Sequence, residues 1–139
     1  MNSEELSDRF LDYAASIITL VKSLGNSYQG KHISKQLLRS ATFCGANYEE
    51  AQSAESKVDF SHKLPQRGAF LKETPSERHK LYYPKGIPTG KKLRESRFWI
   101  RLIKRASLIP KDKISPILSE TDELIKIIAK SVVTSKTKK

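Results

Sequence analysis

Leu6, Phe10, Tyr13, Ile17, Leu20, Val21 and Leu24 recur at three- and four-residue intervals, the spacing that gathers side chains on one face of an α-helix. Ser3 stands where a cap belongs and Gly25-Asn26 supplies a stop, so the pattern predicts a first helix over residues 4–24. A second run, Ile33, Leu37, Leu38, Ala41, Cys44, Ala46, Tyr48 and Ala51, predicts a helix over 30–54. Its small residues Ala41, Gly45 and Ala46 allow close approach by a neighbour, and Gly45 gives up about 1 kcal/mol of helix propensity relative to Ala, which points to a packing reason.

Ser56-Lys57-Val58-Asp59 places an acid three residues after a hydroxyl, as at a helix start, so a break is expected before Ser56 and a third helix over 56–64. From Pro65 to Gly90 the chain holds four of its six prolines and three of its six glycines, a density that rules out a continuous helix and predicts a loop over 65–90. The helical period resumes over 91–107, where Leu93, Trp99, Ile100, Ile103 and Ala106 share one broad face. A last helix over 110–134 carries the near-heptad series Ile114, Ile117, Leu118, Thr121, Leu124, Ile125, Ile128 and Val132, with Pro116 inside its first two turns. Residues 135–139 form a basic tail expected to be flexible. No segment alternates convincingly with period two. The prediction is all-α, a single four-helix-bundle domain with its third helix interrupted by a Pro/Gly-rich insertion.

Charge adds a direction to this outline. The formal net charge is +11 over 139 residues, yet residues 1–64 hold seven Lys/Arg against eight Asp/Glu, whereas residues 65–139 hold nineteen against seven. A basic half of this kind suits a polyanionic partner, because neutralising phosphates releases condensed counterions. Opposite the apolar face of the third helix, Arg94, Arg97, Arg101, Lys104 and Arg105 form a stripe that Lys91 and Lys92 extend, with Glu95 as the one acid between Lys91 and Arg105. These seven are the candidate nucleic-acid-binding residues, with RNA favoured. Phe98 borders the stripe and reads as an aromatic that packs at a bundle edge against a neighbouring subunit, ahead of one that stacks on a base.

Little else in the chain suggests chemistry. Cys44, the sole cysteine, has no His or acid beside it and reads as a small buried apolar residue. Asp59, His62 and Lys63 fall three and four apart on one helical turn, a spacing open to acid/base chemistry on RNA but more typical of a local hydrogen bond. There is no Gly-rich phosphate loop, metal-ligand pattern or nucleophile elbow, so the chain reads as non-enzymatic, with no cofactor and no metal. The opening Met-Asn-Ser-Glu-Glu is acidic where a secretory signal is basic, and no apolar run approaches the ~18 residues of a membrane span. A cytoplasmic protein with no membrane contact is expected.

Several blocks carry a family resemblance: Gln36-Leu37-Leu38-Arg39-Ser40, Gly45-Ala46-Asn47-Tyr48-Glu49-Glu50-Ala51, Ala54-Glu55-Ser56, Asp59-Phe60, His62-Lys63 and Arg94-Glu95-Ser96-Arg97-Phe98-Trp99. In these the chain resembles the four-helix-bundle proteins encoded by intervening sequences in bacterial 23S ribosomal RNA genes, the S23 family, over nearly its whole length outside residues 65–90. It is also similar to the basic pentameric bundles that serve beside reverse transcriptases in diversity-generating retroelements. The resemblance implies an antiparallel up-down bundle, a homopentamer and a basic surface that meets nucleic acid. It also makes residues 65–90 an insertion, whose closure as a loop costs roughly 3 kcal/mol. Arg39, Glu49, Glu50, Arg94 and Glu95 lie in the matched blocks and are candidates for ion pairs that fix helix register or a subunit contact. The alternative function is a protein-protein interaction or scaffold module, for example an accessory subunit of a nucleic-acid enzyme.

Overall fold

The computed structural model describes the backbone of residues 1–63 and 88–137 and the side chains of 1–53 and 89–131. Four helices follow one another: α1 (Ser3–Lys22), α2 (Tyr28–Lys63), α3 (Pro88–Arg105) and α4 (Lys111–Thr137). Among the described residues there is no strand. Each helix packs on its sequence neighbours and α4 returns to α1, closing a four-sided bundle whose α1–α4 seam is the thinnest.

The apolar period of each helix becomes the core. Leu6, Phe10, Tyr13, Ile17, Leu20 and Val21 are buried on α1, and Ile33, Leu37, Ala41, Cys44 and Ala51 on α2. Leu93, Ile100 and Ile103 meet them from α3, and Ile114, Leu124 and Ile128 from α4. Two small residues depart from the pattern: Ala46 and Ala106 are exposed, since a methyl gains too little from burial to hold the edge of an apolar face inward. Ser40 and Ser96, by contrast, are buried, and their hydroxyls bond to each other at 2.8 Å across the α2–α3 seam. One of the two donates to the other, and the accepting one gives its own proton to a carbonyl of its helix, Ser40 to Leu37 at 3.2 Å or Ser96 to Lys92 at 3.0 Å, so neither needs water.

The other seams carry polar bonds as well. On α1–α4 the Arg9 guanidinium grips Glu120 in a fork, Nε to Oε2 at 2.7 Å and a terminal nitrogen to Oε1 at 2.8 Å, which holds Arg9 further toward its charged form. One turn on, the Tyr13 hydroxyl meets Thr121 Oγ1 at 2.7 Å in full burial. At the far end of α2–α3, Asn47 Nδ2 donates to Thr89 Oγ1 at 2.7 Å.

Several expected boundaries are corrected. Asn2, not Ser3, caps α1: its side chain accepts from the Glu5 backbone N–H at 2.8 Å while Glu5 reaches back to the Asn2 N–H, a complete capping box. The break expected before Ser56 is absent, and α2 continues to Lys63, so 56–63 belong to the second helix. Ser56-to-Asp59 has the chemistry of a cap, but no Gly or Pro obliges the chain to leave the helix there. The third helix opens at Pro88 rather than Lys91; a first-turn proline loses nothing, because its missing N–H has no helical partner in that position. Of the expected insertion over 65–90, residues 88–90 therefore belong to α3 and 65–87 lie outside the described residues, as does Leu64. α3 ends at Arg105, two residues early, and α4 runs on to Thr137, so residues 135–137 of the expected flexible tail are helical; Lys138 and Lys139 lie outside the described residues.

Cys44 occupies the α2–α3 seam with no exposure, its Sγ 3.1 Å from the Ser40 carbonyl, and burial pushes its thiol up to about 12. Because the thiolate is the reactive form, Cys44 is expected to resist a thiol-labelling reagent in native buffer and to react only as denaturant unfolds the chain. Rapid labelling of the native protein would mean that α2 and α3 are not packed as described.

Candidate nucleic-acid interface

The outer face of α3 is cationic because the helix's apolar positions, Phe98 apart, are turned toward the bundle. Leu93, Ser96, Ile100 and Ile103 are buried, so the residues between them are carried outward. Lys91, Arg94, Arg101 and Arg105 are exposed, and Lys104 is half-buried. None of these five makes an ion pair among the described residues.

Two members of the stripe are already engaged. Lys92 is half-buried, 3.1 Å from Glu95 Oε2 and 5.4 Å above the centre of the Phe43 ring. Arg97 Nε lies 2.9 Å from Asp122 Oδ1, tying α3 to α4. Phosphate contact by either competes with an existing carboxylate, so the freest cations are Lys91, Arg94, Arg101, Lys104 and Arg105. Phe98 is 58% exposed in their midst, with Arg94 four residues before it and Arg101 three after. Its ring meets the edge of Trp99 at a centroid distance of 5.1 Å. Trp99 in turn packs against the core margin, where His32 approaches its ring edge-on at 5.7 Å. The Trp99 indole N–H is buried without a hydrogen-bond partner among the described residues.

At the α3–α4 corner the stripe turns into a recess of about 350 Å³ lined by Arg101, Lys104, Arg105, Ser107, Lys111 and Leu118. The corner has a defined backbone. The N–H of Ser107 bonds to the Lys104 carbonyl and that of Leu108 to the Ile103 carbonyl, both at 3.1 Å, the two bonds of a Schellman ending. This motif puts Ser107 in the left-handed region, at a φ of 56°. A residue with a Cβ costs about 1–2 kcal/mol there, and glycine is the usual occupant.

The expected structural ion pairs are placed differently. Among the described residues, Glu95 pairs only with Lys92, one turn away on its own helix. Glu49 accepts a hydrogen bond from Ser7 Oγ at 2.6 Å, linking α2 to α1 without a cation. Arg39, Glu50 and Arg94 are exposed and form no ion pair among the described residues. The pairs that do cross between helices, Arg9 with Glu120 and Arg97 with Asp122, were not legible from spacing, since each joins residues on different helices. Lys111 was also missed; its one signal is a lysine opening a helix, where the helix dipole disfavours positive charge. Asp59, His62 and Lys63 fall on α2 with side chains outside the described residues.

A second surface has a different character. Between α1 and α2 runs a groove of about 430 Å³, floored by Phe10 and Gly45, walled by Leu11, Ala14, Ala15, Ile18, Thr42 and Ala46, and edged by Ser7 and Glu49. Leu11 is 69% exposed. Among the described residues no helix is long and apolar enough to cross a membrane.

Comparison with known proteins supports the fold and the resemblance. The chain is similar to a protein of unknown function from the S23 ribosomal protein family of Bacteroides thetaiotaomicron VPI-5482, whose crystal structure is known at 1.70 Å resolution. The two share 27% identity and a TM-score of 0.66, over 95% of this chain and 98% of that one. No family model matches the chain, and no curated protein matches it.

Proposed function

We propose that this S23-like chain is a non-enzymatic, antiparallel up-down four-helix bundle that binds RNA through the outer face of α3 and acts as a cytoplasmic homo-oligomer. The antiparallel reading is supported by the seams: Ser40 meets Ser96 and Asn47 meets Thr89, so numbers rise along α2 as they fall along α3. What carries the RNA reading is the exposed Phe98 flanked on one helix face by Arg94 and Arg101, cations without an ion pair among the described residues. Cations supply the salt-dependent affinity for phosphates, and an aromatic among them offers a stacking surface to any base. Assembly would array several copies of this face, so that weak contacts add by avidity.

The test is binding of single-stranded RNA across a salt series, with mass followed by light scattering. On a log-log plot, Arg94→Ser with Arg101→Ser is expected to flatten the salt slope by about 1.4, roughly 0.7 for each phosphate no longer neutralised. Phe98→Ala is expected to weaken binding by about 1–3 kcal/mol at unchanged mass. A fall in mass would instead make Phe98 a subunit contact, and absence of binding by wild type at low salt would sink the reading.

The groove between α1 and α2 favours a second reading, a protein-interaction module, because Leu11 and Ile18 leave apolar surface uncovered beside Glu49. Within the proposed assembly the groove is where a second copy would sit. Leu11→Ser with Ile18→Ser distinguishes the two: loss of mass marks a homo-oligomer contact, and unchanged mass assigns the groove to another partner.

A further inference from the structure

The recess at the α3–α4 corner asks for more than an extended phosphate backbone. Arg101, Lys104, Arg105 and Lys111 line it together, with Leu118 as an apolar wall and no acidic side chain among the described lining residues. None of the four is ion-paired among the described residues. Lys104 and Arg105 have a reason of their own to be there, since cations in a last helical turn complement the dipole of α3. That reason fails for Arg101, a turn earlier, and is reversed for Lys111, which opens α4 at its positive end. Asp112 beside it is exposed and outside the lining, so it leaves the recess uncompensated.

Ser107 adds an independent feature. It holds a left-handed conformation where glycine would be unstrained, and it places a hydroxyl-bearing residue in the wall of this recess. Its hydroxyl has no partner among the described residues. A donor kept at the expense of backbone strain, among four cations converging on one hollow, is the chemistry of an oxyanion cluster.

The geometry points to a socket for a terminal oligophosphate, two or three linked phosphates, carried by the 5′ end of an RNA or by a free nucleoside triphosphate. A single phosphate monoester bears about −1.5 to −2 and would neutralise at most about half of the four cations, so a linked pair or trio is the closer match. Arginine forks and lysine point charges suit the separate oxygens of such a chain. This deepens the RNA reading and rests on it for the approach of the RNA body along α3, while the socket itself can be filled without RNA.

The experiment compares one single-stranded RNA with a 5′-triphosphate, the same RNA with a 5′-hydroxyl, and a free nucleoside triphosphate. The triphosphorylated RNA is expected to bind about tenfold more tightly than the hydroxyl form. Lys111→Ser is expected to remove that increment while leaving binding of the hydroxyl form unchanged. Ser107→Gly relieves the strained turn, so it is expected to raise the melting temperature and at the same time to lose part of the increment. If the free nucleotide raises the melting temperature of wild type but not of Lys111→Ser, and displaces the increment, the soluble nucleotide is the source; if it does neither, the RNA end is. Equal binding of the two RNAs with no thermal shift from the nucleotide would overturn the socket and leave the α3 reading standing. An increment that survives in both variants would overturn its location.

Discussion

Phe10→Ala is expected to destabilise the chain by about 3–5 kcal/mol, the largest loss from any single truncation here. Phe10 has no exposure, and its ring lies 5.5 Å from that of Tyr48 on α2. Its Cβ is also the atom against which Gly45 is fitted: a Cβ built at Gly45 would stand 3.2 Å from it. The two backbones are therefore already close, and truncating the phenyl leaves a void that α1 and α2 cannot close by moving together. Against a total stability on the order of 5–15 kcal/mol, such a loss takes a large share. Urea unfolding followed by far-ultraviolet circular dichroism measures it, with the single, half-buried Trp99 as a second probe. A shift under about 1 kcal/mol would mean that the α1–α2 seam is not close-packed at this point.

Gly30→Ala is expected to cost about 1–3 kcal/mol, opposite in sign to what helix propensity alone predicts. An alanine within a helix ordinarily gains about 1 kcal/mol over glycine. Here a Cβ would meet the Leu24 backbone oxygen at 2.5 Å and Ser27 Oγ at 3.0 Å. The first contact is with backbone and cannot be relieved by a rotamer change. The second disturbs the cap of α2, in which Ser27 Oγ accepts from the Gly30 N–H at 3.0 Å. Overpacking of about 1–3 kcal/mol together with a weakened cap of about 1 kcal/mol outweighs the propensity gain. The same denaturation assay decides it, and an alanine variant as stable as wild type would show that the turn between α1 and α2 is looser than described.

These two glycines illustrate how far local reading carries. The sequence marks Gly45 as a residue with a packing reason, because glycine inside a helix is unfavourable unless something approaches it. It offers no comparable signal at Gly30, which reads as a helix start; that the returning Leu24 carbonyl fills the space of its missing Cβ depends on how the turn folds back. The candidate interface divides in the same way. Arg94, Arg97, Arg101, Lys104 and Arg105 could be assigned to one face from their spacing, but which of them are free could not, since Asp122 reaches Arg97 from α4.

What the sequence by itself determined is therefore the set of helical faces. The buried residues of α1, α3 and α4 follow from a period of 3.6, which is a local property of the chain and needs no knowledge of the partner. The basic stripe followed for the same reason, as the complement of an apolar face. Only the tertiary structure decided that α2 runs on past Ser56, because a Ser-to-Asp capping pattern is compatible both with starting a helix and with lying inside one. Only it joined Arg9 to Glu120 and Tyr13 to Thr121, pairs separated by 111 and 108 residues. It alone brought Lys111 beside Arg101, Lys104 and Arg105, since that convergence depends on the turn at Ser107 setting one helix against the next.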